Sequence, residues 1–474
     1  MIGLVSAPVA LALSAGFVAQ SVQGRLVSGN AARVFATVST DSRALANVDA
    51  RADALFIPLV GPNFDGHAFL PDLLSQGVGG VLTAHPCRHV GESVVIEVDD
   101  TLAALQRLAH AVRQASGATV VAITGSAGKT TTKEMTADLL SLRHEVFRNA
   151  GNLNNHIGLP LSLLELRHGA DMAVVELGMN HAGEIRTLVA IAEPNVRVWT
   201  NVGDAHIGHF GSREAIADAK AEILEGAGAS TLLVANADDA LISARIAEFA
   251  GRTVLVGESA RADVRATDVQ NHGFDGTVSQ LSVGGESHLL RVPLPGRANL
   301  MNALVAIAVA ADAGVPVVDM LPRIAQFSAV ARRGEVVRLA NGARLVDDSY
   351  NASPAAVLLA LQSLAATPAA RRIAVLGEMR ELGELALPLH VECGAAAAAA
   401  GVSDLVVIGG VAADGLATGA VAAGLPAARV HRYADSAEAA NVINGIVGPG
   451  DVVLVKGSRG TRTDIVADHL KGRA

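Results

Sequence analysis

The sequence predicts an α/β protein of three domains, with boundaries near residues 97 and 330. Length, composition and an alternating texture carry that prediction. The chain has 474 residues, too many for one compact domain. Half of them are apolar but only 3% are aromatic, so the core has to be built from Ala, Val, Leu and Ile. That composition suits helices laid on buried parallel strands. Many of the 48 glycines follow short apolar runs, as turns from strand to helix do.

Residues 1–97 hold short strands and turns, such as the apolar run 54–59 followed by Gly61-Pro62-Asn63 and Asp65-Gly66. From 98 to 330, apolar strand, glycine turn and Ala-rich helix alternate. From 331 to 474 the alternation recurs, with strands expected at 372–377, 404–410 and 451–457. Such alternation implies βαβ units and parallel sheets. The alanine run 395–400 reads as a helix interior, and no fixed-period repeat is visible.

A net charge of -9 and the lack of a basic stripe argue against a nucleic-acid partner. Two cysteines, Cys87 and Cys393, supply neither a disulfide framework nor thiolate metal-ligand spacing, which fits a reducing compartment. Residues 1–20 are apolar, yet no Lys or Arg precedes Arg25, so the cationic start of a secretory signal is missing. No run reaches the roughly 18 apolar residues of a membrane span. A cytoplasmic protein without a membrane span is expected.

The first chemical signal is a phosphate loop. A β-branched apolar run at 119–124 leads into Gly125-Ser126-Ala127-Gly128-Lys129-Thr130-Thr131-Thr132, and helical spacing follows over 133–140. Strand, glycine loop and helix start together surround an anionic phosphate with backbone N–H groups. Lys129 would reach the outer phosphates and Thr130 would offer its hydroxyl to Mg²⁺. Ile123 stands where the general pattern has its first glycine, so the match is the shorter Gly-x-x-Gly-Lys-Thr. A glycine-rich turn that merely contains a lysine is the competing reading; the co-occurrence of all three elements weighs against it.

Ligands of open α/β sheets sit outside the carboxyl ends of the strands. Two further strands end in polar groups there. The run 172–175 leads into Glu176, and the run 196–202 leads into Gly203-Asp204-Ala205-His206. If both strands flank the phosphate-loop strand, Glu176 and His206 converge on the phosphates. Glu176 with Thr130 suits magnesium, which prefers oxygen ligands. Read alone, Glu176 also fits a helix-start acid, His206 a structural histidine, and Asp204 a competing ligand. Lys220, on a helix expected from the Ser212 cap to 226, reads by itself as a solvated helix lysine.

Taken together these segments resemble the Mur ligases of peptidoglycan synthesis, from Ser39 to the C-terminus. The resemblance rests on Asp41-Ser42-Arg43 with Asn63-Phe64-Asp65-Gly66-His67, on 124–135, on Gly151 to Pro160 including Asn154 and Asn155, and on Glu176-Leu177-Gly178-Met179. It continues through 201–225, 295–304, Asp347-Asp348-Ser349-Tyr350-Asn351-Ala352-Ser353-Pro354, 376–384 and Val455-Lys456-Gly457-Ser458-Arg459. It implies a small N-terminal α/β domain for a uridine-nucleotide substrate (1–97), a central P-loop parallel-sheet ATPase domain (98–330) and a C-terminal Rossmann-like ligase domain (331–474).

The resemblance also implies roles. Thr124, Gly125, Ser126, Ala127, Gly128, Lys129, Thr130 and Thr131 would hold ATP phosphates, and Asn299 and Asn302 the adenine. Arg333 and Asp347 would approach ATP from the third domain. Ser42, Arg43, Asp65, Gly66 and His67 would line the uridine-nucleotide pocket, with Asn154 and Asn155 on the substrate. Lys220 would be carbamylated, which turns a cation into an oxygen ligand and lets it join His206 on a second Mg²⁺ beside the Thr130 and Glu176 ion. Lys129, Lys220 and His206 would be the catalytic set. The implied substrates are ATP, UDP-MurNAc-tripeptide and D-Ala-D-Ala, handled by a monomer.

One position and one short segment depart from the family pattern. Arg332 stands where the hinge usually has glycine, and Gly460-Thr461-Arg462-Thr463 replaces a methionine-bearing continuation. A carboxylate is a poor electrophile, so the expected chemistry activates it with ATP as an acyl phosphate, which an amine captures before water can. The run 347–354 favours a dipeptide acceptor over the single amino acid added one step earlier, whose ligase typically carries Asp-Asn-Pro-Arg. The uridine motif disfavours a folylpolyglutamate synthetase. A P-loop switch or motor has no use for that motif, and a non-catalytic nucleotide-binding scaffold would be favoured if substitution of Lys129 left the activity unchanged.

Overall fold

The computed structural model describes residues 10–46, 51–87 and 91–472. Of the apolar N-terminal stretch, residues 1–9 lie outside this range. Ala15–Val22 is a helix capped by Ser14, whose Oγ accepts from Phe17 N at 3.1 Å.

Three main sheets succeed one another in chain order. The first comprises β1 (Arg25–Ser28), β2 (Thr37–Ser39), β3 (Ala54–Phe56), β4 (Gly80–Thr83) and β5 (Val94–Glu97), in the order β1-β5-β4-β3-β2. All neighbours are parallel except β1. The second comprises β6 (Thr119–Thr124), β7 (Val146–Arg148), β8 (Met172–Glu176), β9 (Val196–Trp199), β10 (Leu232–Asn236), β11 (Arg252–Gly257), β12 (Val264–Asn271), β13 (Thr277–Val283) and β14 (Glu286–Val292). Its order is β7-β8-β6-β9-β10-β11-β12-β13-β14. The third comprises β15 (Glu335–Arg338), β16 (Arg344–Asp348), β17 (Arg372–Gly377), β18 (Asp404–Ile408), β19 (Val430–Tyr433) and β20 (Val452–Lys456), ordered β15-β16-β20-β17-β18-β19. It is parallel apart from its β15 edge.

The central sheet shows why an aliphatic composition suffices. Alternate residues of β6 enter opposite cores: Val120 and Ala122 join Leu105, Leu108 and Leu188, while Val121 and Ile123 join Leu139, Leu300 and Leu304. A strand buried on both faces has to be apolar throughout. The second core is closed by two helices packed on each other, α1 (Lys129–Leu140) and α2 (Gly296–Asp312). The alanines of α2 keep the two backbones close.

One part of the central region differs from the expected alternation. Strands β12–β14 are an antiparallel meander continuing the parallel sheet. Its sequences alternate, as in β13, where Thr277, Ser279 and Leu281 are buried and Gln280 and Ser282 exposed. That is the period of a strand with one wet face.

The hinge departure is accommodated. Arg332 adopts φ 62°, the left-handed conformation that a glycine takes freely. Its guanidinium is held by Asp464 and Asp468, each at 2.8 Å. These acids lie four apart on one face of α3 (Asp464–Leu470). Lys471 extends the clamp to Glu335 at 2.8 Å and Asp347 at 2.7 Å. The divergent 460–463 segment is integrated too: Thr461 Oγ1 donates to Glu378 O at 3.0 Å, and Thr463 is buried.

Arg332→Ala retains the left-handed backbone and loses both ion pairs, whereas Arg332→Gly sheds the strain. The alanine variant should be the less stable of the two by about 1 kcal/mol, the cost of a Cβ in that region. Urea melts of the pair read the order directly.

Candidate active site

The parallel register of β8, β6 and β9 sets the geometry. Ile123 is opposite Glu176, and Thr124 is opposite Trp199, so three strands end at one level. A cleft of about 850 Å³ opens at that edge and is shared with the third domain.

The loop after β6 is braced from both sides. Thr124 Oγ1 donates to Leu177 O at 3.2 Å. Asn201 accepts from Ala127 N at 2.9 Å and donates to Ala127 O at 3.0 Å. Ser126 Oγ accepts from Gly203 N at 2.9 Å. Gly128, with φ 81°, caps α1, and a Cβ there would lie 2.6 Å from Asn302 Oδ1. Glycine is therefore required twice over, by conformation and by space. Thr130 and Thr131 occupy the first turn of α1 and line the cleft.

Lys129 Nζ donates to Gly125 O at 2.8 Å, folded back over its own loop. Burial lowers its pKa, with Arg333 adding to the effect and Glu176 opposing it. Asn302 accepts from Thr132 Oγ1 at 3.0 Å and donates to Asn299 Oδ1 at 3.0 Å. Asn302 thus stands against the phosphate loop with Asn299 behind it on the first turns of α2, and both line the cleft.

Glu176 is 2% exposed. Its Oε2 accepts from Asn154 Nδ2 at 3.3 Å, but its Oε1 has no hydrogen-bond partner and lies 3.8 Å from Lys133 Nζ. A buried carboxylate oxygen left so is costly unless an external group completes it. A hard divalent cation shared with the Thr130 hydroxyl is such a group, so this donor set fits magnesium.

Lys133 escaped sequence reasoning because it reads as an ordinary helix cation. It is fully buried, donating to Asn149 O at 2.5 Å and pairing with Glu134 at 2.9 Å.

His206 follows β9 with φ 65° and lines the cleft, its Nδ1 2.5 Å from Glu381 Oε2 of the third domain. Burial lowers its pKa; Glu381 opposes this, and the nearby Lys129 and Lys220 charges assist it. The neutral imidazole is the form that ligates metals. Asp204, the rival ligand, has both oxygens on Arg213, at 2.5 and 2.7 Å.

Lys220 lies on α4 (Arg213–Ala221), which is shorter than the expected helix and begins at the predicted Ser212 cap. The solvated reading fails: Lys220 is 2% exposed. Burial first, and then the charge of Lys129, pushes its pKa well below the ordinary lysine value. Lys129, Glu176 and His206 therefore line one cleft at the sheet edge; Lys220 does not line it, but from α4 its charge is near enough to act on Lys129 and His206.

The third domain contributes Arg333, whose guanidinium lies 3.9 Å above the Tyr350 ring centroid. Asp347 is corrected. It is fully buried, its Oδ1 accepting from Ser349 N and Oγ and its Oδ2 from Lys471, and it does not line the cleft. Successive side chains of β16 point to opposite faces, so the neighbour Asp348 faces the cleft instead, paired with Lys456 at 2.5 Å. Burial raises the Asp348 pKa, against the pull of Lys456.

The remaining predicted residues divide. Asn154 lines the cleft, whereas Asn155 is spent on the backbone, accepting from Gly158 N at 2.7 Å. Ser42 and Arg43 follow β2, and Asp65, Gly66 and His67 follow β3, so both groups lie at the same edge of the first sheet and outside the main cleft. Asp41 caps the turn before Arg43, and Asp65 caps the one before His67. Asp65, His67 and His85 cluster closely. His67 keeps no free lone pair for a metal, because Nε2 accepts from Ala84 N at 3.1 Å and Nδ1 lies 2.6 Å from Asp65.

Comparison with known proteins shows the family of the chain. The Mur ligase middle domain matches residues 123–310, and the Mur ligase glutamate ligase domain matches 332–459. The chain is 34% identical to the UDP-N-acetylmuramoyl-tripeptide--D-alanyl-D-alanine ligase of Bacillus subtilis, over 96% of this chain and 97% of that one. Among solved structures it is similar to MurF from Acinetobacter baumannii, with TM-score 0.87 and 30% identity over 97% and 99% of the two chains. It is also similar to the Thermotoga maritima MurF ligase in complex with ADP, with TM-score 0.81 and 27% identity over 92% and 97%.

Asp347→Ala should reduce stability by about 1–3 kcal/mol, since the buried Lys471 amine loses one of its two carboxylates. Nucleotide affinity should stay as in the parent. Urea unfolding and ADP titration separate the two effects; a lost ADP affinity with intact stability would return Asp347 to the cleft.

Proposed function

The chain belongs to the Mur ligase family, and from that premise we propose that it joins D-alanyl-D-alanine to UDP-N-acetylmuramoyl-tripeptide at the expense of ATP. The observation that carries this reading is the meeting of Lys129, Glu176 and His206 in one cleft beside a braced phosphate loop, with the buried Lys220 near enough to sense the Lys129 charge and the third domain facing them across the cleft.

The first domain, 1–97, takes the uridine nucleotide through Ser42, Arg43, Asp65, Gly66 and His67. The central domain, 98–330, takes ATP on the 124–131 loop, with Asn299 and Asn302 at the adenine. The third domain, 331–474, brings Arg333 to the phosphates and the acceptor dipeptide to the acyl group. Asp347 acts there through Lys471, supporting the strand that presents Asp348.

The peptide carboxylate oxygen attacks the γ-phosphorus, the bridge to the β-phosphate breaks, and ADP leaves. Lys129 swings from Gly125 O to the migrating phosphoryl group, where its charge offsets the charge that develops. The dipeptide amine then attacks the acyl carbon, phosphate departs, and the amine proton is lost. Closure of the third domain keeps water from the acyl phosphate.

Lys220 suits carbamylation because it is buried and its pKa is lowered by that burial. The free amine adds to CO₂ and releases a proton, giving an anionic carbamate in a site otherwise crowded with cations. Thr130 and Glu176 would hold one magnesium ion and His206 with carbamylated Lys220 a second, and the metal would supply charge neutralisation of the phosphates. We place the enzyme in the cytoplasm as a monomer. That setting suits two unbridged cysteines, and no helix among the described residues is long and apolar enough to cross a membrane.

Incubation with ATP, UDP-MurNAc-tripeptide and a panel of amino acids and dipeptides should give one new mass, that of the D-Ala-D-Ala adduct. ADP and phosphate release should rise only when the dipeptide is present. Turnover that ignores every D-Ala-containing dipeptide would sink the assignment. Intact mass in bicarbonate should exceed that of the Lys220→Ala variant by the side-chain difference plus one CO₂.

A further inference from the structure

Glu381 belongs to the third domain, yet its side chain ends at a central-domain residue. We propose that Glu381 is the positioning residue for His206. Docking of the third domain delivers a carboxylate to Nδ1, which fixes the imidazole with its lone pair on Nε2. The inference rests on the metal role proposed for His206.

Three observations carry it. Glu381 Oε2 stands 2.5 Å from His206 Nδ1, a buried nitrogen that makes no well-aligned hydrogen bond to any described residue, so this carboxylate is the acceptor within reach and a small turn of the ring completes the bond. Both partners hold φ 65°, a left-handed conformation rare for side chains larger than glycine, so each loop bends to aim its residue at the other. The backbones beneath are locked together as well: Gly208 N donates to Glu381 O at 2.9 Å, and a Cβ at Gly208 would lie 2.6 Å from Gly383 N. The carboxylate therefore cannot reach Nδ1 unless the two loops are in contact.

An imidazole whose Nδ1–H points at a carboxylate keeps its lone pair on Nε2 and turns less freely, as metal-ligating histidines commonly do. Here the two members come from different domains. Completion of the ATP site is thereby tied to arrival of the domain that carries the acceptor.

The test uses the full-length enzyme with a non-hydrolysable ATP analogue, and reads free Mn²⁺ by electron paramagnetic resonance. Glu381→Ala should weaken one of the Mn²⁺ sites about tenfold or more, the usual cost of losing such a carboxylate. Glu381→Gln, which still offers an oxygen to Nδ1–H, should recover part of that loss. Analogue affinity without metal should be that of the parent, which also reports correct folding. His206→Ala should abolish the same site, and Glu381→Ala added to it should cost nothing more. Parental Mn²⁺ affinity in Glu381→Ala, or a loss that adds to that of His206→Ala, overturns the proposal, as does an unchanged site in His206→Ala. No acceptor is needed, so these outcomes are separate from a failure to form the dipeptide adduct.

Discussion

The cleft depends on the pairing of three parallel strands. With β8 and β9 flanking β6 in register, the phosphate loop, Glu176 and the 204–206 turn emerge side by side. Because strand side chains alternate, a slip of one residue in β8 would turn Glu176 toward the opposite face and put an aliphatic group in its place. The register is enforced from both sides, since each strand is packed between two cores. The site's precision is thus borrowed from the bulk of the domain.

Charge is the second organising theme. Lys129 and Lys133 both stand near Glu176, with Lys133 shared with Glu134, while Lys220 and Arg333 add further positive charge around Lys129. Lowered lysine and histidine pKa values are the signature of cations taken from water without enough counter-charge. A polyphosphate and an anionic lysine derivative both relieve that imbalance. The empty side of Glu176 points to the same deficit in a different form: a carboxylate oxygen with no donor beside cations that stop short of it.

Much of this was legible in the sequence because it is local. Thr119–Thr124 is a strand with the expected bounds, Ser212 caps the Lys220 helix, and Glu176 ends its strand. The features that escaped depend on the fold. Lys133 looks like a surface residue until the packing of α1 buries it. Asp347 and Asp348 are adjacent acids, and only the face on which β16 packs decides which one sees the cleft. Asn155 carries the same side chain as Asn154, but its Oδ1 is engaged by the backbone of 157–158, which only the folded turn reveals. Glu381 meets its partner across a domain boundary, a contact that no spacing encodes.

The anchoring of Arg332 bears on how the third domain can swing. Its side chain is tied to α3, its carbonyl accepts from Tyr350 N at 3.1 Å, and Gly334 N donates to Asp347 O at 3.0 Å. Residues 332–334 are welded to the third domain, so any swivel must be absorbed upstream, before Arg332. Arg333 then travels as cargo on a rigid lever. Its proposed approach to the phosphates is then the sweep of a whole domain, with its guanidinium already splinted against the Tyr350 ring.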